Sequence, residues 1–131
     1  MQEFLGIENL ADPARVLALF FAFAIVHSLA DFPLQGTFLA INKRRPKDGA
    51  SAWNGGDVGP HAWVVCLTAH SLIHAGAVWL IGGRIELALA EFALHWLIDF
   101  TRNEERISFV ADQVLHLSCK AAYAAILVYG M

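Results

Sequence analysis

Residues 16–32 read VLALFFAFAIVHSLADF, in which Val16–Val26 passes without a polar side chain before His27 and Asp31 appear four residues apart. A run that apolar on every side fits a bilayer, where a spanning helix needs about 17–25 such residues. Histidine and aspartate are expensive in that setting, so each predicts a partner on another helix. Three further stretches resemble the first. Spans are expected at about 15–34, 61–81, 85–100 and 107–129, within a single integral membrane domain covering residues 1–131. The predicted fold class is all-α, a four-helix transmembrane bundle.

Composition agrees. Of 131 residues, 57% are hydrophobic and only 16% charged, against about 25% charged in ordinary soluble domains. Mean hydropathy is +0.52. The third span is the weakest, being short and carrying Glu86 and Glu91; helices on both sides would have to shield those acids. The rival reading is a soluble, unusually apolar four-helix bundle. The net charge of -3 speaks against a nucleic-acid partner. Cys66 and Cys119 stand far apart in apolar stretches and are read as free thiols. The acidic start MQEFLGIENLADPA lacks the basic flank of a signal peptide.

Local signals set the boundaries. Asp12 is expected to cap the first helix and Pro13 to fit its first turn. Pro33 should break it. Residues 35–60 are read as a polar loop with the basic run Lys43-Arg44-Arg45-Pro46-Lys47, and Gly82-Gly83 should stop the second span. The first loop carries four basic residues, and Arg102 and Arg106 follow the third span, against Arg15 and Arg84 on the opposite side. That asymmetry places the two richer loops in the cytoplasm of a bacterial inner membrane, with both termini outside. Trp63 and Trp79 sit near opposite ends of the second span, as interfacial residues do.

Each span carries one polar pair at a spacing of four: His27 and Asp31, His70 and His74, His95 and Asp99, Asp112 and His116. On a helix that spacing means one face, about 5.4 Å apart. The string His-x-Leu-x-Asp-Phe occurs in spans one and three, suggesting two similar helical hairpins, a degenerate pseudo-repeat. With helices alternating in direction, all four pairs fall at one depth. Asp31, His70, Asp99 and Asp112 make the layer nearer the cytoplasm; His27, His74, His95 and His116 make the layer below. Eight ionisable groups at one depth need compensation, and a divalent cation gives it by neutralising carboxylates and holding neutral imidazoles. All eight are therefore candidate metal ligands. Zinc is the first choice, with manganese and iron also suited to this donor set. Two ions fit, and so does one ion with acids as base and outer shell. A proton relay and a purely structural polar core are the alternatives. One turn deeper, Glu91 and Lys120 are expected to pair. Cys66 and Cys119 lie near the cluster in sequence, but small core residues explain them better. Asp57 and His61 are also four apart, in a Gly/Pro loop where the spacing has no helical meaning.

The strings HSLADFPLQ (27–35), HSLIH (70–74), HWLID (95–99) and DQVLH (112–116) resemble, in this order, the motifs of a small bacterial and phage membrane family of unknown function, domain of unknown function 3307. The resemblance runs from His27 to His116 and leaves out residues 36–60 and both ends. More distantly the set is similar to predicted membrane-bound metal-dependent hydrolases, themselves thought to relate to zinc phospholipases and nucleases rich in His and Asp. That likeness implies phosphoester hydrolysis. The chain has no separate nucleophile motif and no phosphate-binding glycine loop.

Two functional classes stay open. One is a metal-dependent hydrolase acting on a phosphoester or lipid headgroup, with Asp31 as the catalytic general base because it ends its span beside the loop. The other is a non-enzymatic metal-binding membrane protein that transports, senses or has a structural or interaction role. The almost wholly apolar outer halves, residues 16–24 and 75–81, count against a simple pore. The expected partners are the bilayer and the metal ion, and a homo-oligomer is compatible with the chain.

Overall fold

α1 (Asp12–Asp31) begins on Pro13 as expected, but Asp12 does not cap it. Asp12 is the first helical residue, and Ala11 occupies the cap position without a side-chain hydrogen bond. The computed structural model describes residues 6–46 and 58–130. α1 ends at Asp31, short of the expected Leu34. Pro33 offers no N–H to continue the helical ladder, and Phe32 takes the cap position at φ −109°, ψ −78°. The backbone closes instead with Phe32 N–H donating to the Ser28 carbonyl (3.1 Å) and Leu34 N–H to that of Leu29 (2.9 Å).

The expected polar loop opens with a helix. α2 (Gly36–Asn42) starts on Gly36, whose φ of 60° turns the chain sharply after α1; glycine takes that conformation without a Cβ penalty. Two turns are too few to display an amphipathic period, so the sequence conceals this element. Lys47 and Asp57 lie outside the described residues. α3 (Ala62–Gly82) stops as predicted: Gly83, at φ 71°, donates its N–H to the Trp79 carbonyl. α4 (Ile85–Asn103) runs three residues beyond its expected end, with Arg102 in the last turn, where a cation favours the helix dipole. α5 (Phe109–Tyr129) starts from Ser108, whose hydroxyl accepts the Ala111 N–H at 3.1 Å. Ser108→Ala should lower stability by about 1 kcal/mol, read as a lower melting temperature in detergent with unchanged helix content.

Among the described residues the chain is thus all-helical, with five helices and no strand. The four long helices form a ring in the order α1, α3, α4, α5, with α3 packing most closely on α4 and α1 on α5. Neighbours run antiparallel: Asp31 meets Gln113 while Phe23 meets Tyr123, and His70 approaches Asp99 while His74 stacks on His95. At the end where α1 begins, Leu19, Phe23, Val78, Leu87 and Ala124 form an apolar plug. At the other end the core is polar.

α1 and α3 are each long and apolar enough to cross a membrane. α4 and α5 carry more charge, but much of it is turned inward: Glu91, Asp99, Asp112 and Lys120 are all buried. The outer faces of the same helices show Leu89, Leu97, Val110 and Val114, each more than half exposed.

Candidate metal centre

Five of the six histidines converge between the four long helices. Helical spacing puts each pair on one inward face, and the antiparallel ring brings those faces together. The lower layer is a packed set of imidazoles. His74 stacks on His95 with centroids 3.7 Å apart, His95 is 4.1 Å from His116, and His27 lies 5.0 Å from His74 and 5.2 Å from His116. Above it, Asp31 Oδ1 stands 3.1 Å from His74 Nε2 and 3.4 Å from His70 Nε2. Asp99 Oδ1 stands 3.3 Å from His116 Nε2. The two predicted layers are therefore both present.

Ligand atoms converge closely enough for a metal ion in two places: Asp31, His70, His74 and His95 form one group, and His95, Asp99 and His116 the other. His27 and Asp112 flank these groups. His27 Nδ1 lies 3.3 Å from His74 Nδ1, and Asp112 Oδ1 lies 3.5 Å from His116 Nε2. His70 Nδ1 is buried without a hydrogen-bond partner, and His27 Nε2, His70 Nε2, His74 Nε2 and His95 Nε2 are buried facing carboxylate oxygens at 3.1–3.8 Å without a well-formed hydrogen bond. Buried polar atoms are seldom left so. Imidazole nitrogens beside a carboxylate are the donors a divalent ion of the zinc, manganese or iron kind takes, so the residues fit one.

The surroundings hold these groups in place. Glu91 Oε1 lies 3.2 Å from His95 Nδ1 and accepts from Lys120 Nζ, giving the ion pair expected one turn below the histidines. An acceptor on Nδ1 fixes that nitrogen as the protonated one and leaves Nε2 with its lone pair toward the cluster. Gln113 donates through Nε2 to Asp31 Oδ2 (3.0 Å) and Asp112 Oδ2 (3.2 Å). Gln113 sits inside the string DQVLH, and its position beside Asp112 was the available signal for it. Lys43 gave no such signal. It follows α2 and reaches Asp99 Oδ2 at 2.7 Å. The segment after α2 is tied to the end of α4 by Asn103 Nδ2 donating to the Lys43 carbonyl (3.0 Å) and by Arg45 on Glu104 (2.6 Å). Cys66 and Cys119 are free thiols, as read.

A family model described as a protein of unknown function (DUF3307) matches residues 19–130. No curated protein and no solved structure matches the chain.

Proposed function

Since the chain belongs to the family described as protein of unknown function (DUF3307), and membership carries no activity, we propose from its geometry a polytopic membrane protein with a metal-dependent hydrolase centre, acting on a phosphoester or lipid headgroup. One observation carries this reading. The molecule is polar within and apolar without: His70, His95, Glu91 and Lys120 are essentially inaccessible, while Leu17, Phe21, Val65, Leu80 and Val110 are each more than 60% exposed. An apolar exterior of that extent suits lipid, and a buried cluster of imidazole nitrogens facing carboxylates suits a cation. All four long helices would then span a bacterial inner membrane as a bundle, α4 and α5 turning their charges toward each other. Carbonate washing should leave the protein in the membrane pellet, with detergent needed for release. Recovery in the wash would remove the premise.

A bound divalent ion, zinc in the first instance, would polarise a phosphoryl or acyl oxygen and ease deprotonation of water. The side chains supply the rest. His70, His74 and His95 present nitrogens on one side of the core, and Asp31 presents Oδ1 to them. Gln113 holds the other oxygen of Asp31 and so fixes the plane of its carboxylate. Asp31 ends α1 at the mouth of the cluster and is the first candidate to take a proton from the attacking water. Asp112, outside both groups with Oδ1 3.5 Å from His116 Nε2, is the second. If Asp31→Asn keeps its metal and loses turnover about 10²–10⁴-fold, the base is Asp31. Loss of metal in that variant makes Asp31 a ligand and passes the role to Asp112. The assay is headgroup or phosphate release from phospholipids and simple phosphodiesters, with Zn²⁺ and Mn²⁺ each supplied.

The alternative is a metal-binding membrane protein without hydrolytic activity. The Glu91–Lys120 tier favours ion movement by carrying the polar column one turn deeper. The plug of Leu19, Phe23 and Val78 closes the column beyond it and favours a site worked from one face. Metal-dependent ion flux in liposomes, with no hydrolysis, would decide for transport.

A further inference from the structure

The two ligand groups are not equivalent, and they share one residue. His95 belongs to both, yet only its Nε2 faces the cluster without a partner, since Nδ1 is engaged by Glu91. A single nitrogen lone pair serves one ion. The groups also differ in what they already hold. In the first, Asp31 Oδ1 stands 3.1 Å from His74 Nε2 and 3.4 Å from His70 Nε2, and its other oxygen accepts only from an uncharged donor, Gln113 Nε2. In the second, Asp99 and His116 contact each other through Oδ1 and Nε2, and the second oxygen of Asp99 accepts from Lys43 at 2.7 Å. Lys43 is fixed there by its carbonyl, which accepts from Asn103 on α4. An ammonium on Asp99 neutralises that carboxylate and repels a second cation in the same place.

We propose that the cluster takes one divalent ion per chain, in the Asp31–His70–His74–His95 group, and that the Lys43 ammonium stands on Asp99 where a second cation would otherwise bind. The inference rests on the metal reading above and fixes its stoichiometry and position. Three imidazoles are the protein-donor number of a catalytic site, which would keep its fourth position for water or substrate when Asp31 serves as the base beside the ion and not as a ligand. An anionic oxygen entering from the loop side would then meet two positive charges, one of them built into the chain.

The test is elemental analysis and Co²⁺ absorption of full-length protein purified in detergent, with helix content and monodispersity checked for each variant. Wild type should hold one equivalent. Two equivalents would overturn the inference while leaving the metal reading intact, and none would sink both. His70→Ala should weaken binding at least about 10–100-fold, whereas His116→Gln should keep the ion and the Co²⁺ bands. Loss of the ion in a folded His116→Gln protein would overturn the placement. Lys43 is tested by rescue. In His70→Ala the second group is complete but guarded; adding Lys43→Met should restore one weaker equivalent through His95, Asp99 and His116, with changed Co²⁺ bands. A folded double variant that stays empty would overturn the assignment of Lys43.

Discussion

Lys120→Met is expected to destabilise the protein by about 3–5 kcal/mol, because it leaves the carboxylate of Glu91 buried without its counter-charge. Both side chains are about 1% exposed, so solvent does not screen the loss. Glu91→Gln should cost less than Lys120→Met if the amide still accepts from Lys120. The double change Glu91→Leu/Lys120→Met should cost less than the two single removals summed, since it deletes both charges together. Thermal or denaturant unfolding in detergent gives the cycle, and additive losses would show that the two residues act separately. Glu91 also touches His95, so the cycle is best run on metal-free protein, where the ion does not add to the balance.

His95→Ala is expected to have the largest effect on metal content. Among the described residues His95 alone belongs to both ligand groups, so its removal takes a donor from each and leaves the second with only two. Binding should fall at least about 10–100-fold, and activity should fall with it. Unlike His70→Ala, this variant should not be rescued by Lys43→Met. Full metal occupancy in His95→Ala would place the ion elsewhere and undo the reading of the centre.

Much of this site was legible in the sequence because helical geometry is rigid. A spacing of four fixes a face, and alternating direction fixes a depth; His27, His74, His95 and His116 fall into one layer for those two reasons alone. The same logic found Glu91 and Lys120, one turn beyond His95 and His116. Lys43 was hidden for the opposite reason. It belongs to a basic run in what looked like a loop, and its reach to Asp99 depends on a seven-residue helix too short to announce itself. The division into two groups was equally hidden. It depends on which ring nitrogen each histidine turns inward, and on Glu91 having engaged one of them. α4 and α5 also illustrate a limit of hydropathy. Glu91, Asp99, Asp112 and Lys120 lower the average as if exposed, whereas the fold turns them inward and presents leucine and valine outward; of the two acids expected to be shielded on α4, Glu86 stays exposed in its first turn.

The pairing of Glu91 with Lys120 across 29 residues of chain also bears on biosynthesis. Translation at about 5–20 residues per second adds Glu91 to the chain roughly one and a half to six seconds before Lys120 is made. During that interval the nascent helix carries three acids and a histidine but lacks the cation of α5. If α4 and α5 span the bilayer as proposed, α4 has reason to wait at the translocon or the interface until α5 arrives, and to enter with it as a hairpin.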